Sequence, residues 1–300
     1  METEKVVIVG AGYSGLNAYY ELGNHVVKTL IADKAQLVFY TAYLQKLMFN
    51  KNIKYTANIK PTITSKVKEI DLERKTVKIE NGTEIQGHKL ILAMGCKRER
   101  QLDIIGRIIG KDRVSISVEN HLDEYLGIQL AFYLRKLNKE VSYYGPVLKW
   151  LGEKVSTKVL ELLEKNGIRL SEKSDDIIPA CDPNEIIGDF LPINDKLEYK
   201  NDVFVIGDMI KNYPKLGELA MREGIYVGRL ISRKINESFK PIFINIIDTG
   251  KGKAIHIRSN VPWNGNFESV RVSKLRAIMK RFIERYYIIR KGKMGILYNL

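Results

Sequence analysis

The first apolar run of the chain, Val6-Val7-Ile8-Val9, is unbroken rather than alternating, the pattern of a strand covered on both faces in a parallel sheet. It leads into Gly10-Ala11-Gly12-Tyr13-Ser14-Gly15 and a helical stretch from Leu16 to Leu22. Val26 to Ala32 predicts a second strand, with Asp33 at its end, 18 residues past Gly15. Leu90-Ile91-Leu92-Ala93 and Val203-Phe204-Val205-Ile206 repeat the buried-strand pattern. Ser65 to Ile70, Thr76 to Ile79 and Thr83 to Ile85 alternate instead, with Asn81-Gly82 as a hairpin turn. Val114–Val118, Leu122–Leu137 and Val141–Tyr144 read as strand, helix and strand. Val155–Lys165 reads as a helix stopped by Asn166-Gly167, with a short strand at Ile168–Leu170.

The glycine turn between the first strand and helix has a physical purpose. Its first glycine allows a tight turn, Gly12 lets a pyrophosphate approach the backbone, and Gly15 lets the helix pack on the strand. The helix N-terminus offers free N–H groups and a positive dipole end. A carboxylate at Asp33 can accept from ribose hydroxyls. The pattern therefore predicts an α/β chain with two Rossmann-like units: a dinucleotide-binding domain over 1–106 and 190–240, a degenerate second one over 107–189, and an extension over 241–300. In the second unit Val118-Glu119-Asn120-His121-Leu122-Asp123-Glu124 replaces the glycines. Its three carboxylates, read as a charge set at a helix N-terminus, would repel a pyrophosphate.

Charge sharpens the view of the extension. The 300 residues carry a formal charge of +14, of which residues 251–300 hold six Lys and six Arg against Glu268 and Glu284. A basic end on a near-balanced body predicts a local docking surface; RNA is a minor alternative, and no nucleic-acid partner is expected. Leu275, Ile278, Met279, Phe282, Ile283 and Tyr286 recur at helical spacing among these cations. Such a helix suits an anionic membrane surface over about 270–290, packing on the body, or a partner interface. Cys96 and Cys181, without a CxxC or a Cys/His cluster, support neither a disulfide framework nor a metal site, and a reducing, cytoplasmic setting is expected. The acidic start predicts no signal peptide, and no window is apolar enough to span a membrane. His25, His88, His121 and His256 are scattered.

With these pieces in order, the sequence resembles flavoproteins with two dinucleotide domains, particularly type II NADH dehydrogenases and sulfide:quinone oxidoreductases. The resemblance rests on Gly10 to Gly15 with Asp33, on Leu90 to Gly95, and on Val203-Phe204-Val205-Ile206-Gly207-Asp208. It implies FAD as cofactor, held by Gly10, Gly12, Ser14, Gly15, Asp33, Lys34, Ala93, Gly95, Gly207, Asp208 and Leu216. Asp208 would bond the ribityl chain, and Pro214 to Ala220 would meet the flavin ring. Arg222 and Glu223 stand where a quinone-site motif of the dehydrogenases has glutamines, and neither cysteine falls on a redox position of the sulfide enzymes.

The resemblance implies an oxidoreductase passing electrons from a reduced donor, NADH or sulfide, through FAD to a quinone-like acceptor on the cytoplasmic face of a membrane. Cys96, Cys181 and Lys215 are the candidate catalytic residues. The alternative is a non-catalytic FAD-binding subunit acting through protein contacts. Assembly with a second copy is left open.

Overall fold

The unbroken apolar runs pair with one another. In the computed structural model, which describes residues 3–299, the strand Lys5–Val9 lies parallel between Val27–Ala32 and Lys89–Leu92. Val203–Val205 adds parallel to Lys89–Leu92, and Glu198–Lys200 and Ile63–Thr64 form the two edges. Ile8, Leu30, Ile31 and Leu90 to Leu92 are buried at its centre. A second sheet has Arg113–Val118 parallel between Glu140–Tyr143 and Asp176–Ile178, with Arg169–Leu170 outside. The alternating segments Val67–Asp71, Thr76–Ile79 and Glu84–Gln86 form a separate antiparallel sheet.

Seven α-helices occur among the described residues: α1 Tyr13–Glu21, α2 Tyr40–Phe49, α3 Glu99–Ile109, α4 Glu124–Lys136, α5 Glu153–Lys165, α6 Gly217–Ile231 and α7 Lys274–Ile289. α1 packs along α6, so the two glycine-flanked segments at opposite ends of the sequence share one layer. Helix α3 runs across the expected boundary between residues 106 and 107, where the sequence pattern predicts no element.

The C-terminal extension is a three-stranded antiparallel sheet, Phe243–Asp248, Ala254–Ser259 and Glu268–Ser273, crossed by α7. The third strand escaped the pattern because Val270 and Val272 are its only apolar residues, too short an alternation to stand out. Phe243, Ile247, Ile255 and Ile257 are buried against the second sheet's core. Buried Asn17 on α1 ties down the far end of the chain. Its Nδ2 donates to the Gly292 carbonyl at 2.8 Å and its Oδ1 accepts from the Met294 amide at 3.0 Å.

The thiol expectation is overturned. Cys96 and Cys181 form a disulfide across 85 residues, with Cα atoms 5.8 Å apart. Cys96 follows the strand Lys89–Leu92 and Cys181 follows Asp176–Ile178, and the C-terminal ends of the two sheets open onto the same cleft. Backbone bonds between Lys97 and Asp182 at 2.8 and 2.9 Å run beside the bridge. No spacing rule carries that proximity, because it depends on how two separately folded sheets face each other.

Candidate functional site

At the C-terminal edge of the first sheet lies a cavity of about 530 Å³. Gly10, Gly12, Ser14, Asp33, Lys34, Ala93, Gly95, Gly207, Asp208 and Leu216 all line it, so ten of the eleven expected cofactor residues converge on one space. Gly15, the eleventh, lies beneath it: a Cβ there would stand 1.9 Å from the Gly10 carbonyl oxygen. The residue is glycine because the helix must close on the turn at that distance. Gly12 is the opposite case, since its missing Cβ faces open space, as an approaching pyrophosphate requires. The first turn of α1 has neither a side-chain cap nor an acidic residue, which leaves its N–H groups available to an anion.

Asp208 is held from a direction the sequence did not suggest. Arg98 Nη2 donates to its Oδ2 at 2.8 Å, and the guanidinium also bonds Gln101 Oε1 at 2.9 Å and the Lys215 carbonyl at 3.3 Å. Cys96 Sγ lies 3.8 Å from the same Oδ2. Asp208 lines the cavity, and among the described residues no hydrogen bond is made to its other oxygen, which suits a ribityl hydroxyl. Arg98 sits between strand and helix with no flanking motif, so only the fold brings it to Asp208. Lys215 is buried, but its ammonium lies 4.1 Å over the Phe190 ring and donates to the Ile210 carbonyl; burial lowers its pKa.

Of the three carboxylates at the N-terminus of α4, Glu119 is exposed, whereas Asp123 and Glu124 stand in the first turns and are buried. Glu119 accepts from the Ala180 amide at 2.9 Å. Asp123 is buried, and burial pushes its carboxyl up to about 6 against the pull of Arg98. Glu124 is buried, accepts from the Leu148 amide through Oε2, leaves Oε1 without a partner, and is pushed by burial up to about 7. The Tyr125 hydroxyl donates to the Lys215 carbonyl at 2.7 Å, closing this turn against the cofactor cleft.

A second cavity of about 560 Å³ lies between α6, α7 and the C-terminal sheet. Tyr13, Thr41, Leu216 and Gly217 line both cavities, so a thin wall separates them. Glu218 stands on its side with Oε2 buried and unpartnered, its Oε1 accepting from Arg222 Nε at 2.6 Å. Burial pushes the Glu218 carboxyl up to about 7. Glu223 is pushed well above the usual carboxylate range by burial and accepts from the Gly207 amide. Its carboxyl therefore accepts from backbone at the position where the resemblance led one to expect a glutamine.

Two nucleotide-fold sheets, a glycine cradle and an aspartate at the strand edge define a dinucleotide-dependent oxidoreductase. The model of the family described as "Pyridine nucleotide-disulphide oxidoreductase" matches residues 4–175, more than half of the chain, and the protein belongs to that family. It is an FAD-dependent oxidoreductase, and the residues of its cradle fit FAD. The chain is similar in structure to the sulfide:quinone oxidoreductase of the hyperthermophilic bacterium Aquifex aeolicus. That match has a TM-score of 0.78 at 16% identity and covers 97% of this chain and 92% of that one. It is also similar to NDH2 from Plasmodium falciparum, solved in complex with NADH, with TM-score 0.63, 12% identity, and coverage of 97% and 98%. NADH:rubredoxin oxidoreductase from Clostridium acetobutylicum matches with TM-score 0.59 at 20% identity, covering 88% and 84%. No functionally curated protein sequence matches the chain.

Proposed function

We propose that the protein passes electrons from a small reductant through FAD to a quinone-like acceptor lodged in the second cavity, at a membrane surface. The observation that carries this reading is the shared wall: a cavity of about 560 Å³, lined by both apolar and charged side chains, meets the cofactor cavity at Tyr13, Thr41, Leu216 and Gly217. Bound FAD supplies the two-electron chemistry. The chain's own residues do the rest. The turn at Gly10 to Gly15 and Asp208 hold the cofactor, Arg98 fixes Asp208, and the wall keeps the acceptor beside the ring without mixing the two sites.

Reduction of a quinone consumes two protons, and Glu218 Oε2 is the group placed to hold one. It is buried and unpartnered on a residue that lines the acceptor cavity, and burial pushes its carboxyl up to about 7, where it can both carry and release a proton. Arg222, bonded to the other oxygen, keeps the carboxyl oriented.

The turn before α4 argues against a pyridine nucleotide as donor. Glu119, Asp123 and Glu124 bring carboxylates to the helix N-terminus where phosphates would lie. NADH and NADPH are therefore expected not to bleach the flavin in anaerobic stopped flow, whereas sulfide, the inorganic donor the resemblance implies, is expected to. The acceptor is tested separately by mixing photoreduced protein with decylubiquinone. Rapid reoxidation supports the reading, and reoxidation by ferricyanide but not by quinone would overturn it.

A further inference from the structure

Alternation along the C-terminal sheet decides what its inner face shows. Ile246, His256 and Arg271 stand opposite one another on the three strands, as do Ile244, Arg258 and Ser269. All six line the second cavity, and the first turn of α7 adds Arg276 to it. Three guanidiniums thus converge on His256; burial, followed by the charges of Arg276, Arg258 and Arg271, holds its imidazole down at about 4.

None of the three arginines forms an ion pair among the described residues. Arg276 reaches Met279 Sδ at 3.3 Å, and Arg258 lies 5.9 Å over the Phe267 ring with its Nε buried and unpartnered. Of the two carboxylates on the cavity wall, Glu284 is bonded to Gln45, and Glu218 gives Oε1 to Arg222 and attracts Arg258 only through space. Arg98, Arg222 and Arg229, also enclosed, are each bonded to a carboxylate. Three like charges gathered at one cavity, Arg258 and Arg276 half-buried and Arg271 exposed, repel one another unless they share an anion, and guanidinium forks match the oxygens of a phosphate.

We propose that Arg258, Arg271 and Arg276 form a seat for the phosphate of an anionic phospholipid. Its chains would lie along Ile244, Ile246, Met279 and Ile283 and leave past the exposed Phe267 and Phe282. Two observations favour a lipid over free phosphate. The wall next to the arginines is apolar, and beside it α7 exposes Leu275, Ile278 and Phe282 at 67%, 58% and 59%. The seat deepens the membrane-surface reading above by naming the headgroup charge and the residues that take it. A seated lipid would stand at the outer end of the cavity whose inner end meets the cofactor.

The test is a calorimetric titration of the FAD-loaded protein with dihexanoyl phosphatidylglycerol below its micelle concentration. Binding is expected at one per chain, roughly tenfold tighter than for dihexanoyl phosphatidylcholine, whose phosphate is the same but whose choline cation is repelled by the three guanidiniums. R258Q/R271Q/R276Q abolishes it, and R271Q alone, at an exposed position, weakens it several-fold. K68Q/K78Q/K154Q removes the same charge from exposed sites elsewhere and leaves it unchanged. Retained FAD in each variant shows that the chain has folded. Equal affinity for the two lipids, undiminished binding in the arginine variants, or inorganic phosphate binding as tightly as phosphatidylglycerol would overturn the proposal. The titration involves no electron transfer, so a failed quinone assay leaves its outcome standing.

Discussion

Arg98 and Asp208, 110 residues apart, are joined Nη2 to Oδ2 at 2.8 Å, and the pair sets the orientation of the carboxylate that faces the cofactor cavity. Both side chains are largely enclosed, at 12% and 21% exposure. R98Q leaves Asp208 without its cation and is expected to cost about 2–3 kcal/mol of stability. It also frees the carboxylate to turn, so FAD is lost on gel filtration. R98K, which restores charge without the fork, should recover stability better than FAD retention.

Gly12 and Gly15 separate folding from cofactor binding. A Cβ at Gly15 collides with backbone, so G15A is expected to destabilise the chain by about 2–3 kcal/mol. A Cβ at Gly12 meets nothing within 4 Å, so G12A should melt within a few degrees of the parent in the absence of FAD. It should nevertheless fail to retain FAD. Thermal melts and bound-flavin absorbance read the two effects independently.

The Cys96–Cys181 bridge closes a loop of 85 residues, and constraining the unfolded chain over that length is worth about 4–5 kcal/mol. C96S/C181S, or the parent in a dithiol reductant, is expected to melt roughly 7 °C lower. Equal melting temperatures with and without the dithiol, under conditions where thiol titration confirms reduction, would show that the bridge adds no stability.

His256 makes stability depend on pH in a defined direction. Its imidazole titrates at about 4 in the folded chain against 6.5 ordinarily, so below about 6.5 the unfolded chain binds the extra proton. Its contribution is complete above that pH and shrinks as the pH falls toward 4. Glu124 and Glu218, both raised to about 7, act oppositely: they stabilise below about 4.5, and that help is lost as the pH rises through 7. Comparing the parent with H256Q isolates the histidine. The stability difference should change by on the order of 2 kcal/mol against the parent between pH 7 and 4.5, measured by urea unfolding.

Helix α7 turns an unusual face to solvent. Leu275, Ile278, Phe282 and Ile289 are exposed, while Lys280 and Glu284 point inward to Gln129 and Gln45. L275S/I278S/F282S is expected to keep FAD and the melting temperature but to lose flotation with anionic vesicles. Truncation after Asn266 would remove a strand of the C-terminal sheet as well as α7, so it would report on folding rather than docking.

Much of this was legible in the residues. Val6 to Val9 and Leu90 to Ala93 declared buried parallel strands, and Gly10 to Gly15 with Gly207-Asp208 pointed to residues that meet around one cavity, because each feature is local in sequence. The features that were missed are relations between distant segments. Nothing near Arg98 announces Asp208, and nothing near Cys96 announces Cys181. The apolar spacing of α7 was visible, yet not which side faced inward. Helical periodicity gives a stripe; Lys280 and Glu284, polar residues with buried partners, decided the side.

Asn17 has a further consequence, for how far the cradle depends on distant chain. Its buried amide makes one bond inside α1, to the Tyr13 carbonyl at 2.7 Å, and two to residues 275 and 277 positions away, Gly292 and Met294. A change in that distant turn can therefore loosen the helix whose N-terminus faces the cavity without altering a single residue that lines it.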